Sequence, residues 1–176
     1  FGPYKPVGDN WDETIRYAGY RNNWATSGGV ASNNTKMSII GFGNMPVTIS
    51  GTSYLSAQTA GLAQSIAAGE ISTVYVGIGS NDFFYRTTNF DTSGNFHPNL
   101  NAVIDQAFIN DIASSILTSV DTLRNAGINS GHPVDLVLGL LPPGTAGGSS
   151  PSVLAGINGV NQLLMQGAAA RGIPTV

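Results

Sequence analysis

The stretch S-T-V-Y-V-G-I-G-S-N-D-F-F, residues 72–84, decides the fold. Its first half, residues 73–78, carries no charge and no alternation of polar with apolar side chains, which is typical of a strand buried on both faces of a parallel sheet. The strand ends at Gly79, and three small hydrogen-bonding residues follow it, Ser80, Asn81 and Asp82. Because open α/β sheets assemble their sites at the carboxyl ends of the strands, we expect a functional site at this point.

Strand and helix patterns alternate on both sides of this stretch. A helix is predicted for residues 53–68, where apolar residues recur at helical spacing and Gly69 follows as a C-terminal cap. The other predicted elements are a strand at 19–25, a helix at 101–125 closed by Gly127, a strand at 134–141, a helix opened by Pro151 and a strand from 173 onward. This order predicts one domain over residues 1–176, an α/β protein with a parallel, flavodoxin-like sheet in a three-layer α/β/α sandwich.

Three segments lack a strong pattern. Residues 1–6 contain two prolines and a glycine, which favour an irregular lead-in rather than a strand. Residues 37–49 mix short apolar runs with Gly and Pro and are predicted to be irregular or short-stranded. Residues 86–99 are polar and are predicted to be a loop at the carboxyl edge of the sheet, where it could line a substrate cleft, although a position in solvent is favoured for His97.

The composition excludes several classes of function. The 176 residues are 41% hydrophobic and 10% charged with a net charge of −3, which fits a globular domain without the basic stripe that nucleic acid or anionic lipid requires. There is no cysteine, so no thiolate can bind a metal, and we expect neither metal nor cofactor. No stretch approaches the ~20 apolar residues of a membrane span. High Gly, Ser, Thr and Asn with little Lys and Glu favours a secreted or extracytoplasmic bacterial protein.

Two short blocks carry a resemblance to a known family. The block Gly79-Ser80-Asn81-Asp82 resembles the G-x-N-D block of the SGNH, or GDSL-type, hydrolases, which are serine esterases and lipases. Residues 23–29, N-W-A-T-S-G-G, resemble the N-x-A-x-x-G block of the same family, and residues 58–70 lead into the strand as the family's helix does. The resemblance implies an oxyanion hole formed by the Gly28 N–H and the Asn81 side chain, with Asp82 as a brace behind them. It also implies an ester of a small molecule, a carbohydrate or a lipid as the substrate.

The chain departs from the family pattern at the nucleophile and at the base. Residues 8–10 read G-D-N in place of G-D-S and follow a proline-containing segment rather than a buried strand, so they are not assigned as the nucleophile block. Neither His97 nor His132 has an Asp three positions earlier, so the family's D-x-x-H block is absent. The resemblance therefore implies an interior fragment, truncated at both ends, whose parent protein supplies the Ser, Asp and His. We expect the 176-residue chain alone to be inactive as an esterase.

Two other functions stay open. The pair Gly77-x-Gly79 after a strand is part of a dinucleotide-binding fingerprint, but Asp82 replaces the third glycine and the nearest basic residue is Arg86. The stronger alternative is a non-catalytic binding or surface domain that retains the hydrolase fold. A G-D-S block and a D-x-x-H block in flanking sequence would favour the enzyme, and their absence would favour the binding domain.

Overall fold

A computed structural model gives the structure of the chain. It describes residues 4–5, 19–20, 29–35, 38–40, 46–48, 54–90, 96–99, 101–143 and 150–176. In chain order the elements are β1 (Tyr4–Lys5), β2 (Gly19–Tyr20), β3 (Ser38–Ile40), β4 (Pro46–Thr48), α1 (Leu55–Ala67), β5 (Thr73–Val76), α2 (Ser80–Thr87), β6 (Thr88–Phe90), β7 (Phe96–Pro98), α3 (Gln106–Ser130), β8 (Asp135–Leu138) and α4 (Pro151–Ala169).

A small parallel sheet lies at the centre of the described residues. Strand β5 pairs with β8 in parallel, with Thr73 opposite Asp135 and Val76 opposite Leu138. Residues 174–176 continue the sheet on the far side of β8 through a parallel bridge between Leu138 and Thr175. The predicted α/β class and the parallel pairing of these three segments are confirmed.

One hydrophobic core joins the sheet to the three long helices. The inward side chains of β5 and β8 pack with apolar residues of α1, α3 and α4, and the largest fully buried of these are Ile66, Ile112, Ile116, Leu123, Leu138, Ile157 and Leu164. Each such aliphatic side chain contributes roughly 1.5–3 kcal/mol by leaving water. Helix α4 begins at Pro151 as predicted, after Ser150 as its N-terminal cap. Helix α3 begins at Gln106 rather than near residue 101, and its cap Asp105 accepts a hydrogen bond from the Phe108 N–H at 2.8 Å.

The opposite face of β5 differs from the prediction. Burial alternates along the strand, so that Val74 and Val76 are buried whereas Thr73 and Tyr75 are exposed, Tyr75 by 63%. The prediction that this strand is buried on both faces is therefore wrong for β5. Within the described residues, α1, α3 and α4 all cover the same inward face, and the three-layer sandwich stays a prediction.

The N-terminal strands also correct the prediction. Strand β2 pairs antiparallel with β1, with Tyr4 opposite Tyr20, so Gly19–Tyr20 does not join the parallel sheet; residues 21–25 of the predicted strand lie outside the described residues. The prediction of an irregular lead-in over residues 1–6 is wrong at Tyr4–Lys5, which form strand β1. The flanking prolines lack only their own N–H groups, so the backbone of the two residues between them can still pair. The short-stranded reading of 37–49 is confirmed by β3 and β4, which pair antiparallel.

Further downstream, two local predictions are wrong. Within the predicted loop 86–99, the first two residues end α2, and β6 and β7 form an antiparallel pair with Asn89 opposite His97. His97 is exposed, as predicted. Helix α3 does not end at Gly127 but continues to Ser130, and Gly131 ends it with a positive φ of 76°. Gly127 is needed for close packing instead, because a Cβ there would lie 2.7 Å from the carbonyl oxygen of His132.

Candidate functional site

Asn81 lies in the first turn of α2, directly beyond the carboxyl end of β5. Gly79 makes the sharp connection possible: its φ of 122° is a conformation that other residues adopt only with strain. The turn carries the chain from the strand into α2 within three residues, and it brings Asn81 to the sheet edge at which the sequence predicts a site.

The Asn81 side chain contacts the second block of the family resemblance. Its Nδ2 donates a hydrogen bond of 2.9 Å to the carbonyl oxygen of Gly29, which lies 52 positions earlier in the chain and is buried. Gly28, the predicted backbone donor of the oxyanion hole, lies outside the described residues. The contact therefore brings Asn81 to the residue that follows Gly28 in the chain, and the role of Gly28 itself stays a prediction.

Asp82 is fully buried beside Asn81 and holds the segment that follows Gly29. Its carboxylate accepts hydrogen bonds from the Ala31 N–H at 2.8 Å, the Ser32 N–H at 3.0 Å and the Thr35 hydroxyl at 2.5 Å. Burial raises the pKa of this carboxyl above its ordinary value, against the opposing effect of these hydrogen bonds. Asp82 thus braces residues 31–35, and its part in any reaction stays a prediction.

A second carboxylate, Asp111 of α3, holds the same segment from another side. Asp111 accepts hydrogen bonds from the Ser32 hydroxyl and from the Asn34 side-chain amide, the latter at 3.0 Å. The Ser32 hydroxyl also accepts from the Asn34 backbone N–H at 2.9 Å. We name residues 31–35 the anchored turn, because two helices bind it through two carboxylates.

Two depressions lie at the start of α2, one lined by Asn81 and the other by Asp82. The first is a groove of about 850 Å³ that runs along β5 from Glu70 to Asn81, with α1 as its other wall; we name it the β5 groove. The second, of about 700 Å³, lies beside the anchored turn and is lined by Asp82, Asp105, Asp111, Tyr85, Arg86 and Asn99 among others; we name it the acidic cleft. Burial and the nearby Asp82 charge raise the pKa of Tyr85 in the acidic cleft.

Neither histidine lies at this site. His97 is exposed on β7, and His132 is exposed in the segment that leads into the amino end of β8. The His132 ring lies against Gly69, near the amino end of β5, whereas Asn81 follows the carboxyl end of that strand. The described residues contain no group of three or more His, Cys, Asp or Glu side chains that could hold a metal ion. None of the helices within the described ranges is long and apolar enough to cross a membrane.

No protein-family model, no curated protein and no solved structure matches this chain. The resemblance to the SGNH hydrolases therefore depends on the two short blocks alone.

Proposed function

We propose that this chain carries the oxyanion side of a serine ester hydrolase of the SGNH, or GDSL, type. The observation that carries the proposal is the hydrogen bond between the Asn81 side chain and the Gly29 carbonyl. It joins the two blocks that resemble the family, although they lie far apart in sequence. In such a hydrolase both blocks must meet at one point, because both donate to the same developing oxyanion.

The chemistry of the Asn81 amide suits this role. A carboxamide has two N–H donors. One of them, bonded to Gly29, fixes the rotation of the side chain, and the proposal assigns the second to the oxyanion of the tetrahedral intermediate. Asn81 also lies in the first turn of α2, where the helix dipole favours negative charge.

Asp82 and the anchored turn contribute rigidity to the proposed site. An oxyanion hole is effective because its donors are held in position before the charge develops. The buried Asp82 carboxylate binds Ala31, Ser32 and Thr35, and the anchored turn begins two residues after Gly29. The proposal therefore assigns Asp82 and Asp111 as positioning residues rather than as groups that touch the substrate.

The proposal extends to the fold, the substrate and the missing groups. Parallel pairing of β5, β8 and residues 174–176 supports the parallel sheet of this family, and the proposal includes its three-layer sandwich. The substrate is an ester of a small molecule, a carbohydrate or a lipid, and the protein is secreted or extracytoplasmic. The nucleophilic Ser and its Asp and His are assigned to sequence outside these 176 residues, because neither block occurs within them.

The test is the hydrolysis of nitrophenyl acetate by the protein with its flanking sequence. Asn81→Ala is expected to lower kcat by about 10²- to 10³-fold, the usual loss for one oxyanion donor. Asn129→Ala, an exposed position near the end of α3, is the matched control and is expected to leave kcat unchanged. An unchanged kcat in Asn81→Ala would remove this residue from catalysis.

A second measurement concerns the 176-residue chain alone. Without Ser and His from outside it, no acyl-enzyme forms, so neither a burst of nitrophenol nor labelling by a fluorophosphonate is expected. Stoichiometric labelling of any serine would show that the nucleophile is misassigned. Ser80, adjacent to Asn81, would then be examined first, together with Ser27.

One observation favours a second candidate, a non-catalytic binding domain. The Asn81 amide is engaged by a protein carbonyl, and both histidines lie away from it, as expected if the fold were kept and the chemistry lost. The fluorophosphonate experiment on the protein with its flanking sequence separates the two. Labelling of one serine there supports the hydrolase, and no labelling supports the binding domain.

A further inference from the structure

The backbone of residues 139–141 continues from β8 with hydrogen-bond partners on alternating sides. The Gly139 N–H donates to the Val76 carbonyl at 2.8 Å, on the side of β5. The Leu140 N–H donates to the Val176 carbonyl at 2.7 Å, on the opposite side. Because successive residues of an extended segment point to opposite edges, the N–H and C=O of Leu141 face the β5 side again.

A side chain pairs with Leu141 on that side. The Leu141 N–H donates a hydrogen bond of 2.8 Å to Oδ1 of Asn161, a half-buried residue of α4. The Asn161 Nδ2 donates a hydrogen bond of 2.9 Å to the Leu141 carbonyl in return. A carboxamide can make this pair because it carries an acceptor and two donors. Asn161 thus takes the place of a neighbouring strand at the point where β5 turns into α2, and it fixes Leu141 through both backbone groups.

The Leu141 side chain in turn contacts the connection that leads to Asn81. Leu141 is buried, and a Cβ on Gly79 would lie 3.3 Å from both of its Cδ atoms. Gly79 precedes α2 directly, and Asn81 is the second residue of that helix. Leu141 and Asn81 also line the same depression, the β5 groove. A displacement of Leu141 is therefore transmitted to Asn81 through the Gly79 turn.

The orientation of the Asn81 amide decides whether it can serve as a donor. One of its N–H groups is bonded to the Gly29 carbonyl, and the proposed function assigns the other to the oxyanion. A donor of this kind is effective only at about 2.7–3.1 Å from the developing charge. A displacement of about 1 Å can lower the rate by about 10²-fold, so a residue that supports the Gly79 turn affects the rate without contact with the substrate.

We propose that Asn161 is a positioning residue of the ester hydrolase, which holds the Asn81 amide in its productive orientation through Leu141 and the Gly79 turn. The inference rests on the proposed function, because it assigns Asn161 an effect on catalysis through Asn81 alone. An oxyanion donor acts in the transition state and not on the bound substrate. Loss of Asn161 therefore lowers kcat and leaves KM unchanged.

A double-mutant cycle on the protein with its flanking sequence tests this coupling, with nitrophenyl acetate as the substrate. Asn161→Ala is expected to lower kcat by about tenfold or more and to change KM by less than about twofold. In the Asn81→Ala background the same substitution is expected to change kcat by less than about twofold, because the donor that Asn161 positions is absent. Asn158→Ala, at an exposed position one turn earlier in α4, is the matched control and is expected to leave kcat unchanged in both backgrounds.

Asn161→Asp is the second variant, for the case in which circular dichroism shows that Asn161→Ala does not fold. An ionised carboxylate still accepts from the Leu141 N–H but cannot donate to the Leu141 carbonyl. This variant removes one of the two hydrogen bonds and is expected to lower kcat several-fold when Asn81 is present. It is expected to have no further effect on kcat in Asn81→Ala.

A measurement on the 176-residue chain alone tests the mechanical link without any activity. The ¹⁵N relaxation order parameter of the Asn81 Nδ2 group is expected to have a value typical of rigid groups, about 0.85, and to fall below about 0.6 in Asn161→Ala. Asn158→Ala is again the control, with no expected change. An unchanged order parameter in both the Ala and the Asp variants of Asn161 would overturn the link to Asn81.

Failure of this inference and failure of the proposed function give different results. If Asn81→Ala lowers kcat but Asn161→Ala lowers it equally in both backgrounds, or raises KM instead, Asn161 acts by stability or substrate binding and the inference is overturned. If Asn81→Ala leaves kcat unchanged, the proposed function is overturned, and the role of Asn161 in catalysis with it, even if the order parameter falls.

Discussion

The β5 groove, lined by Asn81, and the acidic cleft, lined by Asp82, differ in how their buried polar groups are satisfied. In the acidic cleft, Asp82 accepts three hydrogen bonds from the anchored turn, Asp111 accepts two and Asp105 caps α3. In the β5 groove, the Thr59 hydroxyl has no hydrogen-bond partner among the described residues. The carboxylates of the cleft therefore hold segments of the protein itself in place, and an acidic surface is thus not by itself a ligand site.

The largest expected effect is the removal of the Asp82 carboxylate. Asp82→Ala leaves the Ala31 and Ser32 N–H groups and the Thr35 hydroxyl without their acceptor, at a position that is fully buried. Unsatisfied buried donors are unfavourable by about 1–3 kcal/mol each and do not add fully, so a loss of about 3–5 kcal/mol in the free energy of unfolding is expected. Urea unfolding measures it.

Asp135→Ala is the control for that variant. Asp135 is exposed at the first position of β8, and its replacement is expected to change stability by less than about 0.5 kcal/mol. Equal losses in the two variants would show that the anchored turn contributes nothing particular to the fold. The contrast between the two depressions would then lose its energetic basis.

The pH dependence of the free energy of unfolding tests Asp82 in the wild-type chain, where its hydrogen bonds are intact. Burial raises the pKa of Asp82 above 3.8, so the folded chain holds this proton more tightly than the unfolded chain does. The stabilisation that comes from this tightly held proton is therefore fully present below pH 3.8. It decreases as the pH rises through the pKa of Asp82 in the folded chain, and above that pKa the free energy of unfolding no longer changes through Asp82. In urea unfolding at pH values from 3.8 upward, the stability of the wild type relative to Asp82→Asn is expected to fall with rising pH.

Asp121 provides a control with the opposite sign. Its hydrogen bonds with Arg171, at 2.7 Å each, lower the pKa of Asp121, so its contribution is present above pH 3.8 and is lost as the pH falls through the folded pKa. The free energy of unfolding of the wild type, measured relative to that of Asp121→Asn, is expected to increase with rising pH. Slopes of the same sign in both comparisons would contradict the assignment for Asp82.

The smallest expected effect distinguishes two buried threonines. Thr59→Val removes a hydroxyl that has no partner and is expected to raise the free energy of unfolding by about 1 kcal/mol. Thr87→Val removes a hydroxyl that donates to the Phe83 carbonyl at 2.8 Å and is expected to lower it by about 1 kcal/mol. Both residues lie in helices and are buried, so each is the control for the other in thermal and urea unfolding.

The core of the fold was predictable because its signals are local. The helices α1, α3 and α4 show apolar residues at helical spacing, β5 is a short uncharged run, and β8 is apolar apart from Asp135 at its start. Helix α2 was not predicted, because its eight residues bury a carboxylate and a hydroxyl, Asp82 and Thr87, with Phe83 rather than an apolar stripe. The pairs β1–β2 and β6–β7 depend on cross-strand backbone contacts, which a polar or proline-containing sequence does not indicate.

At the site, the sequence indicated Asn81 and Asp82 but not Ser32, Thr35 or Asp111. Asn81 and Asp82 were indicated by their position directly after the carboxyl end of a strand. Ser32 and Thr35 belong to an ordinary polar run, and Asp111 is one polar position beside the apolar stripe of α3. Their contacts span 47 to 79 positions in sequence, and such long-range partners leave no pattern in a single chain.

The parallel pairing of β5 with β8 has a consequence for the rate of folding. Between the two strands the chain forms α2, the β6–β7 pair and α3, all of which are local structures. Helices of this length form within about a microsecond, whereas pairing between distant strands must first close a long loop. The transition state for folding is therefore expected to contain α3 before the sheet exists, and the arrival of β8 beside β5 is expected to limit the rate.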